Sequence, residues 1–397
     1  MNVLFIWILW VCVLGLVAVF GGLYLALLLL YAATNWARSR EIRPADGALP
    51  GLTVYLSALN EEDAIEGRLS NIVECVYPRE LLEILVFSDG SRDRTAEVAR
   101  TFASRGDGLR SVRVVEWPEN QGKFAAQNAA AGLACFDVLV STDAESRFER
   151  GFLRAIGEAM RAGDVGVVGG ELQARVGEEG RSPIARLIAE YRRLENRLRA
   201  LESDLGVLAK TDASCVAYRK QIWSEIEEFE DLDQVVLFMA RASGFRALHS
   251  REAVCTELPH TRMAQEFRRR ARMTRKALLS TRKRWPLGTA LTYPMFSVVY
   301  FAHKLLRYFS PFLWVGALVS TTALARSYAS MQVCAWLMWG LVGAAVIELA
   351  SRKLAGRGIG LGLPAAFFVS NAGFAWGVLG WVAGDRSGRH RPTRHQQ

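Results

Sequence analysis

Residues 138–145 read VLVSTDAE, a short apolar run that ends in two carboxylates, Asp143 and Glu145. The chain before this run alternates between apolar segments of strand length and segments with helical spacing. The predicted strands are residues 52–56, 81–87, 112–115 and 138–140, and the predicted helices are 62–74, 94–105 and 123–134. This alternation predicts a parallel sheet built from βαβ units.

A polar cluster follows each of the four predicted strands. The clusters are Asn60-Glu61-Glu62, Ser88-Asp89-Gly90-Ser91, Asn120-Gln121-Gly122-Lys123 and Thr142-Asp143-Ala144-Glu145. Each cluster taken alone is typical of a turn or a helix cap. Together they indicate a ligand site, because ligands bind at the carboxyl ends of the strands in such sheets. The sequence contains no glycine-rich dinucleotide motif and no Walker lysine motif, which argues against those two kinds of site.

The residue types in these clusters suit a phosphorylated ligand. Asp143 and Glu145 are one residue apart, so both can reach one hard cation together with a diphosphate. Asp89 can accept hydrogen bonds from a base or a ribose, and Gly90 allows the backbone to approach closely. Lys123 begins a helix, where its charge and the helix N-terminus can both face phosphate.

The first 33 residues predict a membrane anchor. Residues 3–33 contain no charged residue, which exceeds the roughly 20 residues needed to cross a bilayer. A cleaved signal peptide is the alternative, but the run is too long and no basic residue precedes it. Arg38, Arg40 and Arg43 follow it and place the downstream domain in the cytoplasm.

Apolar segments return near the C-terminus. Residues 308–325, 331–347 and 361–383 are predicted spans, and residues 286–302 predict an interfacial or re-entrant helix. Arg352, Lys353 and Arg357 mark a cytoplasmic loop. An anchor and three later spans would put the basic tail, residues 386–394, outside, against the same charge rule. Either residues 286–302 cross the membrane, or the last segment, residues 361–383, does not cross it as one simple span.

Charge and cysteine content exclude other classes. The formal net charge is +9, and ten basic residues lie between Arg262 and Arg284, directly before the membrane segments return. Anionic lipid or substrate phosphate fits this stripe better than nucleic acid, because interleaved aromatic residues are missing. The six cysteines are scattered without a CxxC pair, which predicts reduced thiols and neither a disulfide framework nor a zinc site.

Residues 51–275 resemble a family 2 glycosyltransferase with the GT-A fold, near the membrane synthases of hyaluronan, cellulose, chitin and poly-N-acetylglucosamine. The resemblance implies that Asn60, Glu62 and Asp89 hold the nucleotide and that Lys123 marks the Gly-Lys helix start. It also implies that Asp143-Ala144-Glu145 is the D-x-D motif, which binds Mg²⁺ or Mn²⁺, with Glu145 in place of the second aspartate.

The same resemblance places the catalytic groups. Counting back from Gly244, the general base is Asp233, with Asp231 as the fallback, and Leu232 stands where the family has an acid. An acid-rich helix N-terminus is the structural alternative for this run. Arg269 and Arg272 match the arginines of the Q/R-x-x-R-W motif, whereas Met273 replaces its tryptophan. For these two arginines the alternative is a lipid-facing basic helix. His260 is either a further metal contact or a plain loop histidine.

The predicted fold class is α/β, a GT-A Rossmann-like nucleotide-sugar domain inserted between transmembrane α-helices. The predicted parts are an anchor (1–37), the cytoplasmic domain (51–260), basic interfacial helices (261–302), transmembrane helices (303–385) and a basic tail (386–397). The predicted location is multi-pass in a bacterial inner membrane, with lipids and accessory subunits as further partners.

The predicted reaction transfers a sugar from a UDP-sugar to a growing polysaccharide. Single transfer to a lipid or short acceptor is the alternative, favoured by Met273 and Cys215. A catalytically silent nucleotide-binding scaffold is the alternative of another class, suggested by Leu232.

Overall fold

The computed structural model describes residues 2–35, 47–105, 110–175, 183–258, 263–355 and 358–385. Several residues singled out by the sequence lie outside the described residues, namely Arg38, Arg40, Arg43, His260, Arg262, Arg357 and the tail 386–397.

Within the described residues, the strands form one mixed sheet in the order β3-β2-β1-β4-β7-β6-β8-β5. The strands are β1 Leu52–Ala58, β2 Leu82–Asp89, β3 Ser111–Trp117, β4 Val138–Asp143, β5 Arg147–Phe148, β6 Val165–Ala174, β7 Val216–Arg219 and β8 Arg246–Glu257. The first four strands are parallel, as predicted. Strand β7 pairs antiparallel with both β4 and β6, so the second half of the sheet is mixed.

The helices of the sheet-containing domain are α3 Glu62–Val73, α4 Thr95–Ala103, α5 Lys123–Leu133, α6 Phe152–Ala159, α7 Pro183–Asp204 and α8 Leu232–Ala242. The helices outside it are α1 Asn2–Val17, α2 Leu23–Asn35, α9 Met263–Arg284, α10 Leu287–Thr292, α11 Pro294–Tyr300, α12 Leu306–Leu324, α13 Ala329–Ala355 and α14 Gly362–Val382. A π-helical turn, Ala18–Gly22, joins α1 to α2, and a second one, Phe301–Leu305, joins α11 to α12.

Both faces of the sheet are covered. On one face Val54 and Leu56 of β1 belong to a cluster that includes Ile65 and Leu69 of α3. On the other face Tyr55 packs in a second cluster with the alanines of α5 and the apolar residues of α8. Burial on both faces explains why the parallel strands read as nearly continuous apolar runs. The six cysteines are free thiols, which confirms the prediction that they form no disulfide framework.

A third apolar cluster joins the sheet-containing domain to the helices outside it. Phe238 of α8 stacks on Trp285 with ring centroids 4.9 Å apart, and Tyr300 of α11 meets Phe238 edge-on at 5.1 Å. Leu27 of α2 and Leu198 of α7 belong to the same cluster. The first turns of α8 are therefore packed directly against α11 and the end of α9.

Among the described residues, three helices are long and apolar enough to cross a membrane: Asn2–Ala33, Ala329–Leu354 and Gly362–Val382. Helix α12, which the sequence also predicted to be a span, is not one of them. It packs antiparallel to α14, since Ser310 Oγ donates to Asn371 Oδ1 at 2.8 Å and Trp314 meets Phe368 at 4.9 Å.

Candidate active site

The loop after β2 is built around Asp89, which is 3% exposed. Its two carboxylate oxygens accept the backbone N–H groups of Gln121 at 2.6 Å and of Gly122 at 3.0 Å. Gly90 has φ +73°, and a Cβ there would lie 2.5 Å from the backbone N of Asn120. Glycine is therefore required at position 90, and Asp89 fixes the loop that leads into α5.

The cluster after β1 is tied to the same region. Asn60 has a positive φ of 56°, and its Oδ1 accepts the backbone N–H of Arg92 at 2.8 Å. Glu62 accepts the backbone N–H of Arg94 at 3.1 Å. The structure thus places Asn60 and Glu62 beside the segment that follows Asp89, where both hold residues 91–95 in place.

The carboxylates at the end of β4 meet the start of α5. Asp143 is the last residue of the strand, and it forms an ion pair with Lys123, the first residue of α5. Burial lowers the pKa of Lys123, but the Asp143 carboxylate outweighs it and leaves that pKa raised. Glu145 lies on the same turn and is exposed.

These two carboxylates fit a divalent cation only with help from a ligand. Both offer oxygen donors, which Mg²⁺ and Mn²⁺ accept. The described residues contain no group of three or more acidic, histidine or cysteine side chains that could hold a metal by themselves. A cation at Asp143 and Glu145 would therefore take its remaining ligands from a bound diphosphate or from water.

Asp233 lies in the first turn of α8 and is 7% exposed. Its Oδ1 accepts the backbone N–H of Ala213 at 2.6 Å, which leaves the other carboxylate oxygen for another partner. Burial and the neighbouring Asp231 charge raise the pKa of Asp233 to about 7, against the opposing charge of Lys304. A carboxylate with a pKa near neutrality can take a proton from a hydroxyl at physiological pH.

Leu232 begins α8 beside Asp233 and is 3% exposed, packed in the second core cluster. Burial explains why a hydrophobic residue stands at this position. The acidic neighbour of Asp233 is Asp231, the N-cap residue of α8, whose backbone N–H bonds Ser280 Oγ at 3.0 Å.

Cations of α9 gather near these carboxylates. Burial and the adjacent Arg269 lower the pKa of Arg272, while Asp231 opposes them. Burial also lowers the pKa of Lys276, one turn later. The Asp231 charge raises that pKa, whereas the charges of Arg272 and Lys123 lower it further. The structure therefore brings Arg272 and Lys276 into one electrostatic neighbourhood with Lys123. Sequence reasoning missed Lys276, although its i+4 spacing from Arg272 puts both on one helix face.

The comparisons with known proteins agree with this geometry. The sequence profile of glycosyl transferase family 2 matches residues 53–226, which contain β1 to β4 and the Asp89 and Asp143 clusters. The chain carries a family 2 glycosyltransferase domain. This confirms the predicted family and shows that the protein is a glycosyltransferase.

Two curated relatives are informative. The N-acetylglucosaminyltransferase of Rhizobium meliloti (strain 1021) is 27% identical over 361 residues, 83% of this chain and 78% of that protein. The poly-beta-1,6-N-acetyl-D-glucosamine synthase of Staphylococcus aureus (strain MSSA476) is 35% identical over 98 residues, which are 25% of this chain and 22% of that one.

A solved structure confirms the GT-A fold. The mannosyltransferase PcManGT from Pyrobaculum calidifontis, in complex with GDP-Man and Mn²⁺, superposes with a TM-score of 0.67 at 21% identity. The match covers 96% of this glycosyltransferase chain and 100% of that chain, so the flanking helices are included.

Proposed function

We propose that this glycosyltransferase is membrane-bound and inverting, and that it transfers a sugar from a UDP-sugar to a growing polysaccharide. The observation that carries the proposal is the buried Asp233 carboxylate, with its pKa near 7, beside Asp231, which interacts electrostatically with Arg272 of α9. The names of the two curated relatives support N-acetylglucosamine as the sugar. The name of the second relative, a poly-beta-1,6-N-acetyl-D-glucosamine synthase, supports a polysaccharide as the acceptor.

The proposed reaction is a single displacement. The acceptor hydroxyl oxygen forms a bond to the anomeric carbon while the bond from that carbon to the diphosphate oxygen breaks. Asp233 takes the hydroxyl proton, and Arg269 and Arg272 hold the leaving diphosphate. Asp89 would contact the nucleoside, because each carboxylate oxygen keeps a lone pair after accepting one backbone N–H. Lys123 would reach the phosphates from the N-terminus of α5.

A divalent cation, Mg²⁺ or Mn²⁺, would be held by Asp143 and Glu145 and would neutralise charge on the departing diphosphate. Lys123 pairs with Asp143 and would stay beside it as a second positive charge. The Mn²⁺ in the mannosyltransferase structure is a property of that protein and supports the choice of metal here.

Single transfer to a lipid or short acceptor is the second candidate. Met273, which stands where the resembled family has tryptophan, lines a cavity of about 30 Å³ between α9 and α12, with Phe374 on its far side. That volume holds a water or two and no sugar ring. A chain leaving by this route would first have to move α9 or α14.

The proposed organisation follows the predicted parts: an anchor, a cytoplasmic catalytic domain, basic interfacial helices and membrane helices in a bacterial inner membrane. Helices α10 and α11 support an interfacial position. Leu287, Leu291, Met295 and Val298 are all exposed at helical spacing, directly after the basic end of α9.

The test is UDP release by the full chain in lipid vesicles, with Mn²⁺ and a panel of UDP-sugars. We expect release from one sugar, loss of release on chelation by EDTA, and recovery when Mn²⁺ or Mg²⁺ is restored. Product size then separates a polymer from a single transfer. Wild-type protein that binds UDP but releases none from any sugar contradicts the proposal.

A further inference from the structure

Lys304 lies on the π-helical turn Phe301–Leu305, where the chain passes from α11 into α12. Its side chain is 4% exposed, and its Nζ makes no hydrogen bond to any described residue. The nearest opposite charge is Asp231 Oδ2 at 3.9 Å, an oxygen that also accepts no hydrogen bond within the described part of the chain. A buried ammonium held only by a long ion pair stabilises a fold poorly, because its desolvation is not offset.

The residues beside Lys304 do not share this feature. His303 has both ring nitrogens on carboxylates, Nδ1 with Glu202 at 2.6 Å and Nε2 with Glu195 at 3.1 Å. Arg307 reaches Glu195 at 3.3 Å. These contacts fasten the helix to α7 and explain both side chains structurally. The same explanation does not extend to Lys304.

The Lys304 side chain instead faces the first turn of α8, which carries the catalytic base. That turn is held by membrane-proximal residues: Tyr300 OH donates to Gln234 Oε1 at 2.9 Å, and Gln234 Nε2 donates to the carbonyl of Ala277 at 2.8 Å. Asp231 and Asp233 flank Leu232 in this turn, so Lys304 approaches the base from the membrane side.

Other charged groups share this environment. Asp233 faces Asp231 on its own helix, Lys210 and Asp212 on the segment before β7, and Lys304. Lys123 of α5 and Tyr308 of α12 also interact with it electrostatically. The groups that reach Asp231 from other elements are Arg272 and Lys276 of α9, Tyr300 of α11 and Tyr308 of α12. Lys210 donates a hydrogen bond to Glu195 at 2.9 Å, so its charge is largely balanced by that carboxylate. Lys304 is thus the cation that the turn between α11 and α12 places against the Asp231–Asp233 pair.

We propose that Lys304 is a positioning residue for the transfer reaction: its ammonium, set against Asp231, holds the first turn of α8 so that Asp233 faces the acceptor as a carboxylate. The role rests on the proposed function. It links the base to the helix that leaves the catalytic domain, so a shift of α12 would change the ionisation of the base.

The test compares pH profiles of kcat/KM for UDP release by the full chain in lipid vesicles. Loss of the cation in Lys304→Met should move the acid limb to higher pH by about one unit, because a nearby opposite charge favours the ionised carboxylate. At pH values below the acid limb, kcat/KM of Lys304→Met should be about tenfold lower than that of the wild type. At alkaline pH the two values should be equal. Lys304→Arg keeps the charge and should restore the wild-type limb.

A second variant, Asp231→Asn, removes the neighbouring negative charge and should move the limb the opposite way. The matched control is Lys353→Met, because Lys353 is an exposed lysine near the end of α13, outside the domain that carries α8. Its profile should equal that of the wild type. The positioning role is overturned if the acid limb stays in place in both Lys304→Met and Asp231→Asn. It is also overturned if Lys304→Met lowers kcat/KM at every pH and Lys304→Arg does not restore it. Absence of wild-type release from any UDP-sugar overturns the proposed function itself, and the role with it.

Discussion

At the scale of single residues, the environment of Asp233, the proposed base, sets the pH range expected of the enzyme. A base must be ionised to accept a proton, and the pKa of Asp233 is raised to about 7 by burial and Asp231. We therefore expect kcat/KM to fall as the pH drops below about 7 and to level off above it. The Asp233→Asn variant, which keeps the shape of the side chain, should lose activity by a factor on the order of 10²–10⁴ and still bind UDP.

The matched control is Asp164→Asn. Asp164 is exposed and pairs with Arg246 at the far side of the sheet, with one oxygen 2.9 Å from that guanidinium. Its activity and pH profile should stay at wild-type values in the same assay. Wild-type activity that is flat from pH 5.5 to 8, or an Asp233→Asn protein with full activity, would show that another group takes the proton.

The sequence was informative about residues that follow strands and much less so about residues brought in from elsewhere. Asp89, Lys123 and Asp143 could be placed at one sheet edge because the parallel order of the strands brings their ends together. Lys276 and Lys304 were missed as candidates. The i+4 spacing of Lys276 from Arg272 is a local signal, but the closeness of both lysines to Asp231 comes from the packing of α9 and of the turn after α11 against α8. That tertiary packing leaves no local pattern in the chain.

At the scale of elements, the loop after β2 depends on one glycine. In Gly90→Ala the new Cβ would sit 2.5 Å from the backbone N of Asn120, at a φ of +73°. Strain in that region costs about 1–3 kcal/mol, so we expect a lower Tm and weaker UDP binding, since Asp89 and residues 120–122 must move apart. Calorimetry and UDP titration measure the two effects.

Gly132→Ala is the control for that substitution. Gly132 is exposed near the end of α5, and a Cβ there would contact nothing within 4 Å. Alanine in a helix is favoured over glycine by about 0.5–1 kcal/mol, so this variant should be slightly stabilised, with UDP binding unchanged. Equal behaviour of the two variants would contradict the role assigned to the Gly90 turn.

The packing of α14 on α9 supports the cations of the candidate site. A Cβ on Gly377 would lie 2.6 Å from Thr274 Cβ and 2.7 Å from the Ala271 carbonyl oxygen, one turn from Arg272 and Lys276. Gly377→Leu should therefore separate the helices, destabilise the protein by about 1–3 kcal/mol and raise the KM for the UDP-sugar. The control Gly340→Leu lies on α13, where a Cβ meets nothing within 4 Å. If both variants behave alike, the α9–α14 contact does not support the site.

Most elements of the first half of the domain were predictable, because the change of period between strands and helices is a local signal. The observed strands β1 to β4 end two or three residues later than predicted, while β2 begins one residue later and β3 one residue earlier. The mixed second half was not predicted. Strand β5 has only two residues, and β7 runs antiparallel between β4 and β6, arrangements fixed by pairing between distant segments.

At the scale of the whole molecule, the helix contacts bear on the predicted topology, in which an anchor and three later spans would put the basic tail outside, against the charge rule. Asn2 bonds Ser327 at 3.1 Å, so the start of α1 lies beside the end of α12. Helix α14 runs antiparallel to α12, and Asp385, just after it, pairs with Arg275 of α9. The end of α14 is therefore next to α9. With the catalytic domain in the cytoplasm, as proposed, we expect the end of α14 on the cytoplasmic side, which agrees with the charge rule.

Contacts of α13 place its start and Glu348, two turns before its end, at the opposite end of the bundle. It begins four residues after Ala325 of the α12 end, and Trp339 donates to Thr322 of α12 at 3.2 Å. Glu348 accepts the N–H groups of Ile359 at 2.9 Å and Leu361 at 3.1 Å, directly before α14. We therefore expect Arg352 and Lys353 to face outward, contrary to the sequence interpretation of a cytoplasmic loop.

A topology experiment decides between the two arrangements. A reporter that fluoresces only in the cytoplasm, fused after Gln397, should fluoresce, and Arg352→Cys in a Cys334→Ser background should react with an impermeant maleimide in intact cells. Native Cys135, exposed in the catalytic domain, is the internal control and should react only after permeabilisation. A dark reporter, or an Arg352→Cys protein labelled only in permeabilised cells, would mean that α13 crosses the membrane. In that case the contacts of α12 and α14 would not predict on which side of the membrane each helix begins and ends.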